Sequence, residues 1–179
     1  KHEINYIYEP NLMLNPDFDT NTTDWTLGTG ITHNTNNGSI TFATSLEPNP
    51  QYQKLNQLRN NFWGNEGTVY KISFEVSDWV TGDLNGRITN GEYGVDFNTT
   101  SPGGDYAVFN VDLMNDANPN RTHEIEIIML NYTGNTQNNN FNGRFFIQSD
   151  ATNNFEGTID NVTIQEKIIN STIKTFENG

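Results

Sequence analysis

The sequence predicts an all-β fold, an antiparallel β-sandwich with jelly-roll topology, on the basis of three observations. Short runs alternate apolar and polar residues with a period of two, as strands do when one face is buried and the other is wet. Turn-forming clusters of Gly, Asn and Pro separate these runs, and no convincing helix lies between them. Strands without helical crossovers pair antiparallel, and about eight of them are typical of a jelly roll.

The first elements of the chain are less regular than the later ones. Residues 1–10 alternate up to Tyr8, which suggests a short edge strand that Pro10 ends, because proline cannot donate to a ladder. Residues 52–62 have partial helical spacing. Gln53, Leu55 and Gln57, however, occupy every second position, as on one face of a strand, and we favour a strand. The remaining strands are expected near 38–44, 68–77, 86–97, 105–113, 122–131, 142–149 and 155–164.

The strongest strand signal lies between Tyr70 and Val76, where every second residue is apolar and the residues between are Lys, Ser and Glu. Residues 122–131 repeat this pattern, with Glu124 and Glu126 on one face. Strand rise places these two carboxylates roughly 6–7 Å apart, which overlaps the spacing in glycosidases. Such pairs are ordinary on a wet strand face, and no nucleophile or phosphate-binding motif accompanies them. We therefore predict no enzymatic activity.

Length and composition limit the possible organisation and partners. With 179 residues, we expect one sandwich domain over 11–165, a lead-in over 1–10 and an exit segment or linker over 166–179. The net charge of −13 disfavours nucleic acid and anionic membranes as partners. No apolar run approaches the ~18 residues that span a bilayer. Since Lys1 rather than Met opens the sequence, we expect a processed product or a segment of a longer protein.

Two segments near the ends of the sequence share a pattern. Residues 11–19 and 155–164 each combine hydrophobic strand residues with acidic and amide oxygens. A sandwich can bring such distant segments side by side, so we expect them to be neighbours. Asp19 and Asp160 would then be close enough to share one hard cation, which prefers oxygen ligands.

These motifs resemble carbohydrate-binding modules of the CBM4/9 and CBM22 type over residues 11–165. The opening NLMLNPDFD of residues 11–19 with Trp25, the central strand after Gly67, and the closing GTIDNVTI of residues 157–164 occur in the order that the family shows. The segments 74–82 and 155–162 are also similar to domains of bacteriophage tail and other virion proteins. The resemblance implies a galactose-binding-like jelly roll without catalysis, on a virion or extracellular surface.

The resemblance also implies a structural calcium site. Its acidic ligands correspond to Asp19 and Asp160, with Asp17 as a less certain neighbour, and carbonyls and water complete the shell. The alternative is that these carboxylates cap turns and strand ends through local hydrogen bonds. Two departures from the family pattern weaken the expected site: Pro16 replaces the usual Gly, and Asp19 replaces a Glu that is one methylene longer.

Glycan-binding sandwiches stack aromatic rings on sugars and add amide and carboxylate hydrogen bonds. The candidate rings and polar companions are Trp63, Trp79, Tyr93, Tyr106, Tyr132, Gln53 and Arg87, with Gln57 and Asn131 as further polar candidates. The opposing interpretation is that most of these rings cover sandwich edges or subunit contacts. The function predicted is adhesion to a polysaccharide glycan. The alternative is a structural domain that contacts neighbouring virion or surface proteins and keeps the fold without binding sugar.

Overall fold

The computed structural model describes residues 5–43, 54–60, 67–90, 105–129 and 142–170, and in these residues all regular structure is β. The strands are β1 (Asn5–Tyr8), β2 (Trp25–Leu27), β3 (Ile31–Asn34), β4 (Ser39–Phe42), β5 (Lys54–Asn60), β6 (Val69–Thr81), β7 (Leu84–Asn90), β8 (Asp105–Val111), β9 (Thr122–Ile128), β10 (Asn142–Ser149) and β11 (Glu156–Asn170). This content confirms the predicted all-β class.

The strands form two sheets in which every pair is antiparallel. The six-stranded sheet has the order β3-β4-β11-β6-β9, and β1 pairs with the C-terminal part of β11. The five-stranded sheet has the order β2-β5-β10-β7-β8. Neighbours in each sheet are mostly distant in sequence, as in the predicted jelly-roll sandwich.

One hydrophobic core fills the space between the sheets. The six-stranded sheet contributes alternate residues of β6 and β11, such as Ile72, Phe74 and Ile159, which are fully buried. The five-stranded sheet contributes Leu55 and Phe145 from its central strands. The period-two alternation of the sequence therefore identified the inward face, because residues two apart share a side of a strand.

The two end segments lie side by side, as the sequence predicts. The backbone N–H of Leu12 donates to the Ile164 carbonyl at 2.8 Å, and the N–H of Val162 donates to the Pro16 carbonyl at 2.9 Å. The opening segment thus runs antiparallel along β11 on the same edge as β1 and β4.

The strand predictions differ from the structure mainly in length. The segment 52–62 contains strand β5, as favoured, and β10 has the predicted bounds. The three-residue β2 and the four-residue β3 were not predicted, since such short runs have too few residues to show a period. Strand β11 extends to Asn170, where it pairs with Asn5, so the sheet continues into both predicted flanking segments. The domain limits stay a prediction.

Candidate functional site

The outer face of the five-stranded sheet carries two parallel rows of mostly polar side chains. One row crosses all five strands in register, and its members are Thr26, Asn56, Phe146, Arg87 and Val108. The next row crosses four strands, and its members are Lys54, Gln148, Asn85 and Asn110. We call the central part of these rows, Lys54, Asn56, Asn85, Arg87, Phe146 and Gln148, the polar strip.

Strand alternation explains why the polar strip faces away from the core. Phe145 and Ile147 of β10 are core residues, so Phe146 and Gln148 between and after them point to the other side of the sheet. In β7 the same rule turns Arg87 outward, next to the buried Ile88. The aromatic ring and the amides are therefore held on rigid central strands.

The polar strip is sheltered although it lies outside the core. Asn56, Phe146 and Gln148 each expose only 4% of their surface. The side-chain amide of Asn56 donates to the Thr26 carbonyl at 3.2 Å, and Lys54 Nζ lies 5.7 Å from the Phe146 ring centroid. These contacts fix an aromatic ring and an amide in one place.

Gln148 contains an unsatisfied polar atom. Its Oε1 is buried and has no hydrogen-bond partner within the described part of the chain. A buried acceptor without a partner costs about 1–3 kcal/mol, and such atoms in folded proteins call for an explanation. The polar strip therefore contains an acceptor that the described part of the chain does not use.

The predicted ligand-binding residues lie in different places. Arg87 belongs to the polar strip, where it is half-buried. The backbone of Tyr106 lies in β8, at the register irregularity between Ile88 and Thr89 of β7, while its side chain is outside the described residues. Gln53, Trp63, Tyr93, Asn131 and Tyr132 also lie outside the described residues.

Trp79 lies in the other sheet, near the end of β6. Asp78 before it has a φ of 50°, and the pairing with β11 shifts register there. This irregularity places the half-buried indole against the core, with its N–H donating to the Gly82 carbonyl at 2.9 Å. The structure therefore does not bring Trp79 and Arg87 together on one sheet face. A sugar-binding role for Trp79 stays a prediction.

Gln57 was a further polar candidate and points inward instead. Its amide nitrogen donates to the Leu14 carbonyl at 2.8 Å, and its Oε1 accepts the Leu14 N–H at 2.9 Å. Because both ends of the amide are used, Gln57 holds the opening segment against β5 and is fully buried.

An acidic group lies where the opening segment meets β11. Asp160 pairs with Glu75 across the outer face of the six-stranded sheet, beside a bulge at Asn161, whose φ is 52°. Partial burial raises the pKa of Asp160 to about 6, and the negative charges of Glu75, Asp19 and Asp17 add to this rise. The charges of the other two predicted metal-site residues, Asp17 and Asp19, therefore act on Asp160.

The side chains around Asp160 fit a cation only in part. Across the described residues, no group of three or more Asp, Glu or His side chains is arranged to hold a metal. Asp17 Oδ1 lies 3.5 Å from the backbone N–H of Asp19, which donates to it, so a local turn contact already involves Asp17. A cation between Asp19 and Asp160 would thus need carbonyls and water for most of its ligands.

The carboxylates Glu124 and Glu126 share the outer face of the six-stranded sheet but are engaged in ion pairs. Lys71 Nζ lies 3.1 Å from Glu124, and Lys167 Nζ lies 2.7 Å from Glu126. The hydrogen bond from Lys167 keeps the pKa of Glu126 below its usual value. A glycosidase acid needs a raised pKa instead, so this pair gives no support to catalysis.

The sequence contained a signal for the polar strip that the prediction did not use. Within the strand 142–149, alternation alone assigns Phe146 and Gln148 to one face and Phe145 and Ile147 to the other. Five consecutive residues, 145–149, are buried and hide this alternation, because both faces of β10 are covered.

Comparison with known proteins supports the fold but not a family assignment. No protein-family model and no curated protein matches the chain. The chain is similar to a solved CBM4 structure, with a TM-score of 0.54 and 17% identity over 83% of this chain and 99% of that one. It is also similar to a non-crystalline cellulose specific carbohydrate-binding module, CBM28, with a TM-score of 0.51 and 14% identity over 85% of this chain and 94% of that one.

A third similarity is to the enzymatically active domain of tailspike protein 4 from bacteriophage CBA120. It has a TM-score of 0.49 and 14% identity, and it covers 87% of this chain but 21% of the tailspike chain. A similarity of this size carries no argument about a phage origin. The two higher similarities show that the chain has the fold of carbohydrate-binding modules, as the sequence motifs predict.

Proposed function

We propose that this chain is a non-catalytic domain that binds a neutral polysaccharide through the polar strip. The observation that carries the proposal is the buried amide oxygen of Gln148, which has no hydrogen-bond partner among the described residues, on a face that also carries Phe146 and Arg87. A sugar hydroxyl both donates and accepts hydrogen bonds, so it satisfies Gln148 in either orientation of the amide. Amide-lined, partly aromatic surfaces of this kind are what a pyranose contacts.

Binding to immobilised polysaccharides tests this proposal. The probes are amorphous cellulose, xylan, mannan and a glycan array. Amorphous cellulose is included because the similar CBM28 module is specific for non-crystalline cellulose. Wild-type chain should be retained by at least one probe, and Gln148→Leu should weaken retention roughly tenfold through one lost buried hydrogen bond. Asn36→Ala, an exposed turn variant, is the matched control and should bind as wild type does.

The biological setting is a further part of the proposal. We propose that the domain serves adhesion on a virion or extracellular surface, where several weak glycan contacts add up through multivalency. None of the described residues forms a helix that could cross a membrane. If no probe in the panel retains the wild-type chain, the adhesion proposal fails, and the alternative of a purely structural domain takes its place.

We also propose that one calcium ion binds between Asp19 and Asp160. Support comes from the mutual repulsion of the carboxylates there, which a divalent cation would relieve. Gly38, with a φ of 69°, lets the β3–β4 turn approach the Asp19 backbone, since a Cβ at this position would lie 2.7 Å from Asp19 Cα. Carbonyls of these closely packed loops are the available additional ligands.

A further inference from the structure

A pair of exposed tyrosines lies on the outer face of the six-stranded sheet, away from the polar strip. Tyr6 and Tyr8 are two residues apart in β1, so their rings project from the same face of the strand. They expose 52% and 39% of their surface, respectively. We call these two rings the tyrosine platform.

The rings lie on top of two lysines. Lys71 Nζ is 4.5 Å from the Tyr8 ring centroid, and Lys167 Nζ is 4.6 Å from that of Tyr6. Each lysine side chain is only 20% exposed, whereas the rings above them are far more open. The inner face of each ring is thus occupied by a cation, and its outer face is left to solvent.

Hydrogen bonds and ion pairs fix this arrangement. The Tyr8 hydroxyl donates to Glu126 Oε1 at 2.9 Å, and Lys167 Nζ donates to both oxygens of Glu126 at 2.7 and 2.8 Å. Lys71 donates to Glu124 at 3.1 Å. Each lysine is matched by a carboxylate, so the surface under the rings is compensated in charge and ordered before any partner arrives.

From this geometry we infer that the tyrosine platform is a second glycan-binding surface, which stacks its outer ring faces on a pyranose of a neutral polysaccharide. Ordered aromatic rings that are open on one face suit the flat C–H face of a sugar, and pre-ordering lowers the entropy cost of binding. The net charge of −13 disfavours anionic partners, and the compensated surface does not attract ions. The ligand class rests on the proposed function, while the surface is separate from the polar strip.

Two polysaccharide-binding faces on one domain would raise its avidity for an insoluble glycan. The polar strip and the tyrosine platform lie on the outer faces of opposite sheets. One domain could then contact two neighbouring chains of an insoluble glycan, and the second contact would add avidity without a second domain.

Retention of the full chain on the polysaccharide panel tests the inference with four proteins. Removing both rings in Tyr6→Ala/Tyr8→Ala should weaken retention roughly tenfold, as expected for two aromatic contacts. Ile7→Ala is the matched control, because Ile7 lies between the tyrosines on the opposite face of β1 and is also exposed. Gln148→Leu reports on the polar strip alone.

The outcomes separate the two surfaces. Loss in the tyrosine variant but not in Ile7→Ala supports the platform, and normal retention of the tyrosine variant overturns it while leaving the polar strip intact. If only the tyrosine variant loses retention and Gln148→Leu does not, the platform stands and the proposed site on the polar strip fails. If no probe retains the wild type, both proposals fail. Sedimentation velocity measures self-association separately. If the wild type is a dimer and the tyrosine variant is a monomer, the platform serves self-association, and its role in glycan binding is overturned.

Discussion

The side-chain oxygen of Asn11 accepts a hydrogen bond from the backbone N–H of Ile164 at 2.9 Å, although the two residues are 153 positions apart in the chain. The same oxygen accepts the N–H of Met13 at 3.1 Å. One partly buried amide therefore shapes the opening turn and joins it to β11, where the backbone bond from Leu12 to Ile164 continues the contact.

Asn11→Ala should destabilise the fold by about 1–2 kcal/mol, because it leaves two backbone donors without this acceptor. The free energy of unfolding from urea denaturation measures the change. Asn36→Ala removes an exposed turn amide and should shift stability by less than about 0.5 kcal/mol. Equal stability of the two variants would show that the Asn11 contact does not hold the ends together.

The pairing of the end segments, residues 11–19 and 155–164, was predictable from sequence. Both combine hydrophobic strand residues with acidic and amide residues, and both belong to the motifs that resemble carbohydrate-binding modules. The extension of β11 to Asn170 was not predictable, since residues 165–170 are polar or only partly apolar and lack a clean period. Residues 165–167 pair with β6, and residues 167–170 pair with β1, whose four residues are all exposed. Such pairing is decided by tertiary contacts that local propensity does not contain.

The contribution of Asp160 to stability in calcium-free buffer should fall as pH rises from about 4 to 6. The pKa of Asp160 is raised from 3.8 to about 6 in the folded chain, so between these values the folded state binds more protons than the unfolded state. The associated stabilisation is fully present below pH 3.8 and is lost as pH rises through 6.

Asp160→Asn isolates this contribution, because the amide oxygen can still accept the Asn161 N–H while the charge is removed. Urea unfolding at several pH values should show that the variant is more stable than wild type at pH 7, with a difference that shrinks toward pH 4. A difference that is independent of pH would contradict the raised pKa.

Calcium should raise the melting temperature of the wild-type chain at pH 7 by mass action on the folded state. The shift should be small in Asp19→Asn and in Asp160→Asn, since each removes one of the two proposed carboxylate ligands. Asp24→Asn is the matched control, because Asp24 is exposed and its φ of 75° is one that Asn tolerates. A melting temperature that calcium leaves unchanged in the wild type would remove the proposed site.

Trp79→Leu should cost about 2 kcal/mol of stability, because it removes an indole that packs on the core and a hydrogen bond to Gly82. If Trp79 has only this structural role, retention on polysaccharide should not change at a temperature where the variant is folded. A selective loss of retention would support the sequence-based prediction that Trp79 contacts sugar.

The site was less predictable than the fold for a related reason. Aromatic residues such as Trp79 attract attention in a sequence, yet the bulge at Asp78 decides where that ring points. The signal at Gln148 is the opposite case, because its outward position follows from simple alternation with Ile147. The lack of a hydrogen-bond partner for Gln148 in the described part of the chain depends on the neighbouring strands and is visible only in three dimensions.

Gln148→Leu should leave the free energy of unfolding unchanged or raise it by about 1 kcal/mol, although the side chain is 4% exposed. In the wild type the buried oxygen gives up hydration and gains no partner in the described chain, so an apolar side chain of similar size removes a free-energy cost.

Ser149 is the contrast within the same strand. Its buried hydroxyl accepts the Phe155 N–H at 2.7 Å, and Ser149→Ala should cost about 1 kcal/mol. Urea unfolding compares the two variants. A stability loss in Gln148→Leu as large as that in Ser149→Ala would mean that the amide serves the fold, and the argument for a glycan contact at Gln148 would then fail.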